Sequence, residues 1–245
     1  MQVPLLVDMD WNGTPSKLML WANRNGYFYV LDRVTGKYLL GKNYVKVNWS
    51  SGLDENGRPV ATPQPEGMPT WPGNQGATNW YPPSYSPRTG LFYFSAWEDY
   101  ATIYRAEEQE YEPGRAFLGG GFTVLTPAQG APGVGIGRTN PINTWTDEVG
   151  HAALMAMDPA TGEPKWKYEQ FDVSDSGMLT TASDLLFTGG REGHFHALDA
   201  RTGELLWKAS LGGQIVMAPI TFMVDGVQYI TVVSGHAMST FALRD

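Results

Sequence analysis

The 245-residue chain contains no cysteine. Its absence excludes disulfides, thiolate zinc sites, c-type haem attachment and a cysteine nucleophile within this chain. Charge is sparse as well. Only 17% of residues are charged, and 25 Asp and Glu outweigh 17 Lys and Arg, giving a formal net charge of −8. No basic face is offered to nucleic acid or to an anionic lipid surface, so neither is an expected partner. No apolar run approaches the roughly 18–20 residues that cross a bilayer, so no membrane span is expected, and no charged-then-apolar leader opens the chain.

What is abundant points to β-structure. Nine Trp, 12 Tyr and 10 Phe accompany 29 Gly and 17 Pro, a mixture that suits short strands and tight turns and punctuates helices. Short alternating or continuous apolar runs at Leu18–Ala22, Tyr27–Leu31, Leu91–Ala96, Ala152–Met157, Leu185–Thr188, His194–Leu198, Ile215–Phe222 and Tyr229–Val233 predict strands of an all-β fold.

The chain also repeats itself. MAMDPATGEPKW (Met155–Trp166) and HALDARTGELLW (His196–Trp207) place Asp158 and Asp199 41 positions apart, each with a Gly four residues later and a Trp eight later. A period of this size indicates stacked modules. The Asp carboxylate can accept backbone N–H groups across a turn, the Gly supplies positive φ, and the Trp then lies on an outer strand, where it can be buried against the next module. Two weaker copies extend the series. YVLDRVTGKYLL keeps Asp32 and Gly36 with Leu40 at the Trp place, and YSPRTGLFYF keeps Gly90 with Ser86 and Phe94.

Residues 179–182, 185–189, 194–199 and 205–211 read as one four-stranded blade of a β-propeller. A further unit at 218–222, 229–234 and 239–243 has only three strands before Asp245. Its edge is left open or closed by a strand from elsewhere, and MQVPLLVDMDWNG at the N-terminus does not obviously provide one. The whole of 1–245 is therefore expected to form an incomplete propeller. A long insertion loop around 106–150 interrupts the spacing; it contains EEQEYEPGR and a Gly/Pro-rich stretch, and either covers a site or is a solvated excursion.

These features resemble the tryptophan-docking repeats of the PQQ-dependent (quinoprotein) alcohol dehydrogenases, eight-bladed propellers that hold pyrroloquinoline quinone and usually Ca2+ near their axis. The extended stretches NRNGYFYVLDRVTGKYLLGKNYVKVNWSSGLDENGRPV (Asn23–Val60) and TNWYPPSYSPRTGLFY (Thr78–Tyr93) are similar to that family's signatures in the expected order. The resemblance implies a C-terminal part of such an enzyme, with Met1 falling midway through the propeller and the N-terminal half missing.

Residue by residue, the resemblance implies that Arg24 is the basic group beside the reactive quinone oxygens, where positive charge stabilises negative charge arriving with the hydride. Read without it, Arg24 is a surface residue before an Asn-Gly turn. Asn79 matches an Asn that hydrogen-bonds the cofactor; its bland reading is a turn or cap. Asp175 is a departure, because VSDSGMLTTAS stands where many members carry Trp-Gly-Gly at the cofactor's edge. A carboxylate there repels a tricarboxylate unless a cation intervenes. The family's catalytic Asp lies just before the position matched by Met1, and its Ca2+ ligands lie further upstream. The whole enzyme is expected to oxidise a primary or secondary alcohol in the periplasm, passing electrons to a cytochrome c. Its chemistry is proton abstraction and hydride transfer to PQQ, with Ca2+ polarising the acceptor carbonyl. The isolated chain is expected to be inactive. The alternative is a non-catalytic scaffold propeller that presents its blades to other proteins.

The remaining constellations read as structural. Asp8 and Asp10 are turn carboxylates before Asn12-Gly13. His194 and His196 lie on one strand face as a satisfied pair rather than a metal site, since no third ligand is evident. His151 and His236 are isolated. The triple glycine at 119–121 lacks the Lys-Ser/Thr of a phosphate loop and is expected to be flexible.

Overall fold

A computed structural model describes residues 2–98, 100–125, 152–170 and 174–243. It is all-β, an incomplete propeller built of blades whose strands run in sequence from inside to outside. The first blade consists of β1 (Leu5–Trp11), β2 (Thr14–Ala22), β3 (Tyr27–Asp32) and β4 (Tyr38–Asn43), paired antiparallel in that order. A long connection then carries a two-stranded ribbon, β5 (Ser50–Leu53) with β6 (Pro59–Ala61), and the short β7 (Pro69–Thr70).

The second blade begins with β8 (Ser84–Ser86) and β9 (Leu91–Trp97). The chain next leaves it for β10 (Ala101–Ala106) and β11 (Gly120–Leu125), which join β7 in a separate three-stranded sheet, and returns for β12 (Ala152–Asp158) and β13 (Glu163–Gln170). The third blade is β14 (Leu179–Thr180), β15 (Leu185–Thr188), β16 (His194–Asp199) and β17 (Leu205–Ser210). The last sheet contains β18 (Ile220–Val224), β19 (Val227–Ser234) and β20 (Ala237–Ala242).

Burial explains why the central strands read as continuous apolar runs. Every residue of β9 is buried: Phe92 and Phe94 meet Phe28, Leu18 and Val30 of the first blade, while Tyr93 faces Leu186 and Leu198 of the third. A strand covered on both faces needs no polar alternation. Phe195 and Ile215 pack with Ile230 and Val232 between the third and fourth sheets. The innermost strands also meet, since the Ser84 and Thr180 hydroxyls are 2.7 Å apart and Tyr85 Oη donates to Met9 Sδ at 4.0 Å.

The repeated phrase builds one turn three times. At β3–β4, β12–β13 and β16–β17 the Gly N–H donates 2.8 Å to the carbonyl of the Asp four residues earlier: Gly36 to Asp32, Gly162 to Asp158 and Gly203 to Asp199. In each case the Asp Oδ1 accepts a backbone N–H inside the turn, from Val34 and Thr35, from Ala160, or from Arg201 and Thr202. Each Gly has φ between +67° and +76°, which other residues adopt at a cost.

Three expectations are corrected. The Ser86–Gly90 copy makes the same bond, Gly90 N–H to Ser86 carbonyl at 2.8 Å, but joins β8 to β9, the first pair of its blade rather than the last. Phe94 is therefore a core residue and not an outer-strand anchor. The insertion starts before 106 and is not all loop: β10 pairs with β11, and Gly120 and Gly121 of the triple glycine lie in that strand opposite Ala106 and Arg105. Residues 126–151, including Trp145 and His151, lie outside the described residues. Finally, the strand expected over Ile215–Phe222 begins at Ile220, while Ile215 is a fully buried loop residue whose N–H bonds Gly190 carbonyl at 3.0 Å. Near the N-terminus, Leu5–Trp11 pairs with β2 of its own sheet and not with β20.

Candidate functional site

Arg24, Asn79 and Asp175 all lie at one end of the blades. This is the end where second strands turn into third strands and where one blade connects to the next, as bonds from Tyr44 N–H to Gly26 carbonyl (3.0 Å) and from Gly235 N–H to Gln214 carbonyl (2.8 Å) show.

Arg24 sits in the β2–β3 turn. Two Asn side chains shape that turn: Asn23 Oδ1 accepts Asn25 N–H at 3.1 Å and Asn25 Oδ1 accepts Tyr27 N–H at 3.0 Å. The half-buried guanidinium donates through Nη2 to the Asn74 carbonyl. Asn79 Nδ2 donates to the next carbonyl, that of Gln75, at 3.1 Å. The two predicted residues thus grip consecutive carbonyls of one loop. The loop is pressed against Arg24 itself, because Ala77 N–H bonds Arg24 carbonyl at 2.9 Å and a Cβ at Gly76 would come 2.5 Å from Arg24 Cβ.

The same loop leads to Asp175. Ala77 carbonyl accepts the N–H of Trp97, and the Trp97 indole donates to Ser174 carbonyl at 3.1 Å. Asp175 is buried, with Oδ2 accepting Arg191 Nε at 3.0 Å and Nη2 at 2.8 Å. Arg191 is also buried, and its guanidinium lies 6.0 Å from the Trp97 ring centre. The cation needed beside this carboxylate is therefore Arg191, which the sequence reading missed. A signal for it existed: Asn23-Arg24-Asn25-Gly26 and Gly190-Arg191-Glu192-Gly193 occupy the same blade position. In both, the closing Gly N–H bonds the first residue's carbonyl, at 3.0 and 3.2 Å.

Other residues fall elsewhere. Asp10 Oδ1 accepts Gly13 N–H at 2.6 Å in the β1–β2 turn, as read, and Asp8 pairs with Arg33 at 2.7 Å. His194 and His196 do share a face, with ring centres 6.1 Å apart, but the pair is not satisfied: His196 Nδ1 has no hydrogen-bond partner among the described residues. His196 is buried beside Tyr168. Burial first, then the neighbouring Lys208 and His194, push its pKa down to about 4, so the imidazole is neutral. Among the described residues no group of three or more His, Cys, Asp or Glu is placed to hold a metal ion. A polar cavity of about 250 Å³ lies between the first and second blades, lined by Lys46, Glu98, Lys167 and Gln170; neither Arg24 nor Asp175 lines it.

Comparison with known proteins gives a consistent result. The family model described as glucose/ethanol/alcohol dehydrogenase, β-propeller domain, matches residues 172–230. The chain is 36% identical over 242 residues to a 1-butanol dehydrogenase (cytochrome c) of Thauera butanivorans, covering 94% of this chain and 33% of the relative. It is 35% identical over 241 residues to the quinohemoprotein alcohol dehydrogenase of Comamonas testosteroni, covering 96% of this chain and 32% of the relative. Among solved structures, the quinohemoprotein alcohol dehydrogenase ADHIIG of Pseudomonas putida superposes with a TM-score of 0.80 at 29% identity, covering 97% of this chain and 35% of the other. The chain spans about a third of the length of the relatives it matches.

Proposed function

This chain belongs to the PQQ-dependent quinoprotein alcohol dehydrogenases, and from that premise we propose that it forms one wall of the cofactor site of such an enzyme. The observation that carries this reading is the shared grip of Arg24 and Asn79 on the carbonyls of Asn74 and Gln75. It brings a fixed cation and an amide together at one end of the blades.

The residues present suit a tricarboxylate quinone. Arg24 offers positive charge, and Asn79, having used one amide N–H on Gln75, retains a second for a cofactor oxygen. Asp175 does not oppose an anionic ligand, because Arg191 neutralises it. When bound, PQQ supplies a carbonyl that accepts hydride from the alcohol carbon. Arg24, held by a carbonyl and by its own turn, would stabilise negative charge there without reorganising. The Ser174–Ser176 segment would close the cofactor's edge where relatives carry an indole. In this reading the catalytic Asp and the Ca2+ ligands come from the preceding part of the propeller, so the 245-residue chain alone does not turn over alcohol. The full enzyme works in the periplasm and delivers electrons to a cytochrome c.

Reconstitution with PQQ and Ca2+, followed by dye-linked alcohol oxidation, tests this for the chain and for a form extended upstream. The extended form is expected to bind PQQ and oxidise alcohols. Failure of that form to bind PQQ under any metal condition would overturn the reading.

A further inference from the structure

We infer that Thr102, on the excursion strand β10, is a positioning residue that sets the direction of the Arg24 guanidinium through Asn74. This rests on Arg24 having the role proposed above, but the geometry behind it is independent of any cofactor.

Thr102 is fully buried and far in sequence from Arg24. Its hydroxyl makes two bonds to one residue: Oγ1 accepts Asn74 N–H at 2.8 Å and donates to Asn74 Oδ1 at 3.2 Å. The backbone of Asn74 is thereby held from one side, and its carbonyl, on the other side, accepts Arg24 Nη2. The loop cannot slide away from either support. A Cβ at Gly73 would stand 2.6 Å from Thr102 Oγ1 and 2.9 Å from the Ala101 carbonyl carbon, while one at Gly76 would strike Arg24. Glycine at both positions lets the loop lie between β10 and the β2–β3 turn at backbone contact distance. Strand β10 is itself anchored by pairing Thr102 with Thr70 and Ile103 with Pro69. The excursion out of the second blade therefore acts as a strut, fixing the orientation of a cation on the first blade.

A buried hydroxyl replaced by a methyl keeps its volume but loses both bonds to Asn74 and the one to the Tyr104 hydroxyl, so Thr102→Val tests the strut and Thr102→Ser should rescue it. The first readout needs no cofactor. In the 245-residue chain, the rate at which phenylglyoxal modifies Arg24, followed by peptide mass spectrometry, is expected to rise several-fold in Thr102→Val and to stay near wild type in Thr102→Ser. If Thr102→Val fails to fold by circular dichroism, Asn74→Ala takes its place, since it removes the Oδ1 acceptor while leaving the threonine; a smaller rise is expected. An unchanged rate in the folded variant overturns the inference.

The second readout is PQQ affinity in the upstream-extended enzyme. Thr102→Val should weaken binding by roughly tenfold with Arg24 present, and by less than twofold in an Arg24→Ala background. Equal weakening in both backgrounds would show that Thr102 acts on the fold at large and would overturn the inference. A faster modification of Arg24 together with PQQ affinity indifferent to Arg24→Ala would leave the strut standing and remove the functional role of Arg24.

Discussion

The indole of Trp166 lies on Gly203 of the following blade: its Nε1–H donates to Ala200 carbonyl at 3.1 Å, and a Cβ added at Gly203 would stand 2.6 Å from the ring. Leu40 has the same relationship to Gly162, with its Cδ2 2.8 Å from where that Cβ would be. The second and third blades thus each present a turn glycine as the seat for a large apolar side chain from the blade before it. Trp207, the second Trp of the repeat, is seated differently. It packs edge-on against Phe195 and Phe241 and stays 41% exposed.

Gly203→Ala should therefore destabilise the chain by about 2–4 kcal/mol, from the positive-φ penalty plus displacement of the indole. Gly36→Ala serves as the control. Its φ is also positive, but nothing lies within 4 Å of the added methyl, so only about 1 kcal/mol is expected. Urea unfolding of both variants measures the difference, and equal losses would show that the seat contributes nothing.

Asp175→Asn removes the buried carboxylate to which Arg191 donates through Nε and Nη2. Removing one partner of a buried pair costs about 3–5 kcal/mol, whereas replacing both with apolar groups of similar volume costs much less. Asp175→Leu combined with Arg191→Met is accordingly expected to melt above Asp175→Asn. Differential scanning calorimetry of the two proteins decides the order.

His196 gives the chain a pH-dependent stability of calculable sign. Its folded pKa of about 4 lies below the unfolded value of 6.5, so the unfolded state takes up the proton first. The stability that depends on neutral His196 is fully present above pH 6.5, falls as pH drops toward 4, and changes no further below that. The drop amounts to roughly 3 kcal/mol. His196→Phe keeps an aromatic beside Tyr168 and should flatten this part of the unfolding midpoint-versus-pH curve.

If Arg24 has the role proposed for it, Arg24→Ala in the upstream-extended enzyme should lower kcat by about 10²–10³-fold, the size expected for loss of one preorganised charge-stabilising group. Arg24→Lys keeps the charge but not the fork that reaches the Asn74 carbonyl, and an intermediate loss is expected. Steady-state kinetics with saturating PQQ separates these from weakened cofactor binding.

Much of the fold was legible because turn chemistry is local. The Asp carboxylate at 32, 158 or 199 and the Gly four residues on satisfy each other's neighbourhood within five residues, so the pattern survives translation into structure wherever it occurs. The Arg-x-Gly turns at Arg24 and Arg191 are local in the same way. What that locality could not specify was position within a blade, and the turn at Ser86–Gly90 shows it: the same bond joins inner strands there and outer strands elsewhere.

The sequence by itself determined an all-β chain of repeated hairpins and set Arg24 beside an Asn-Gly turn, with Asn79 read as a turn or capping residue. Only tertiary structure decided that β9 pairs with β12 across the excursion, that Asp175 is neutralised by Arg191, and that Arg24 and Asn79 hold adjacent carbonyls. The physical reason is range. A turn closes on bonds between near neighbours, whereas strand pairing and buried charge compensation are settled by which surfaces exclude water together, and residues distant in the chain supply those surfaces.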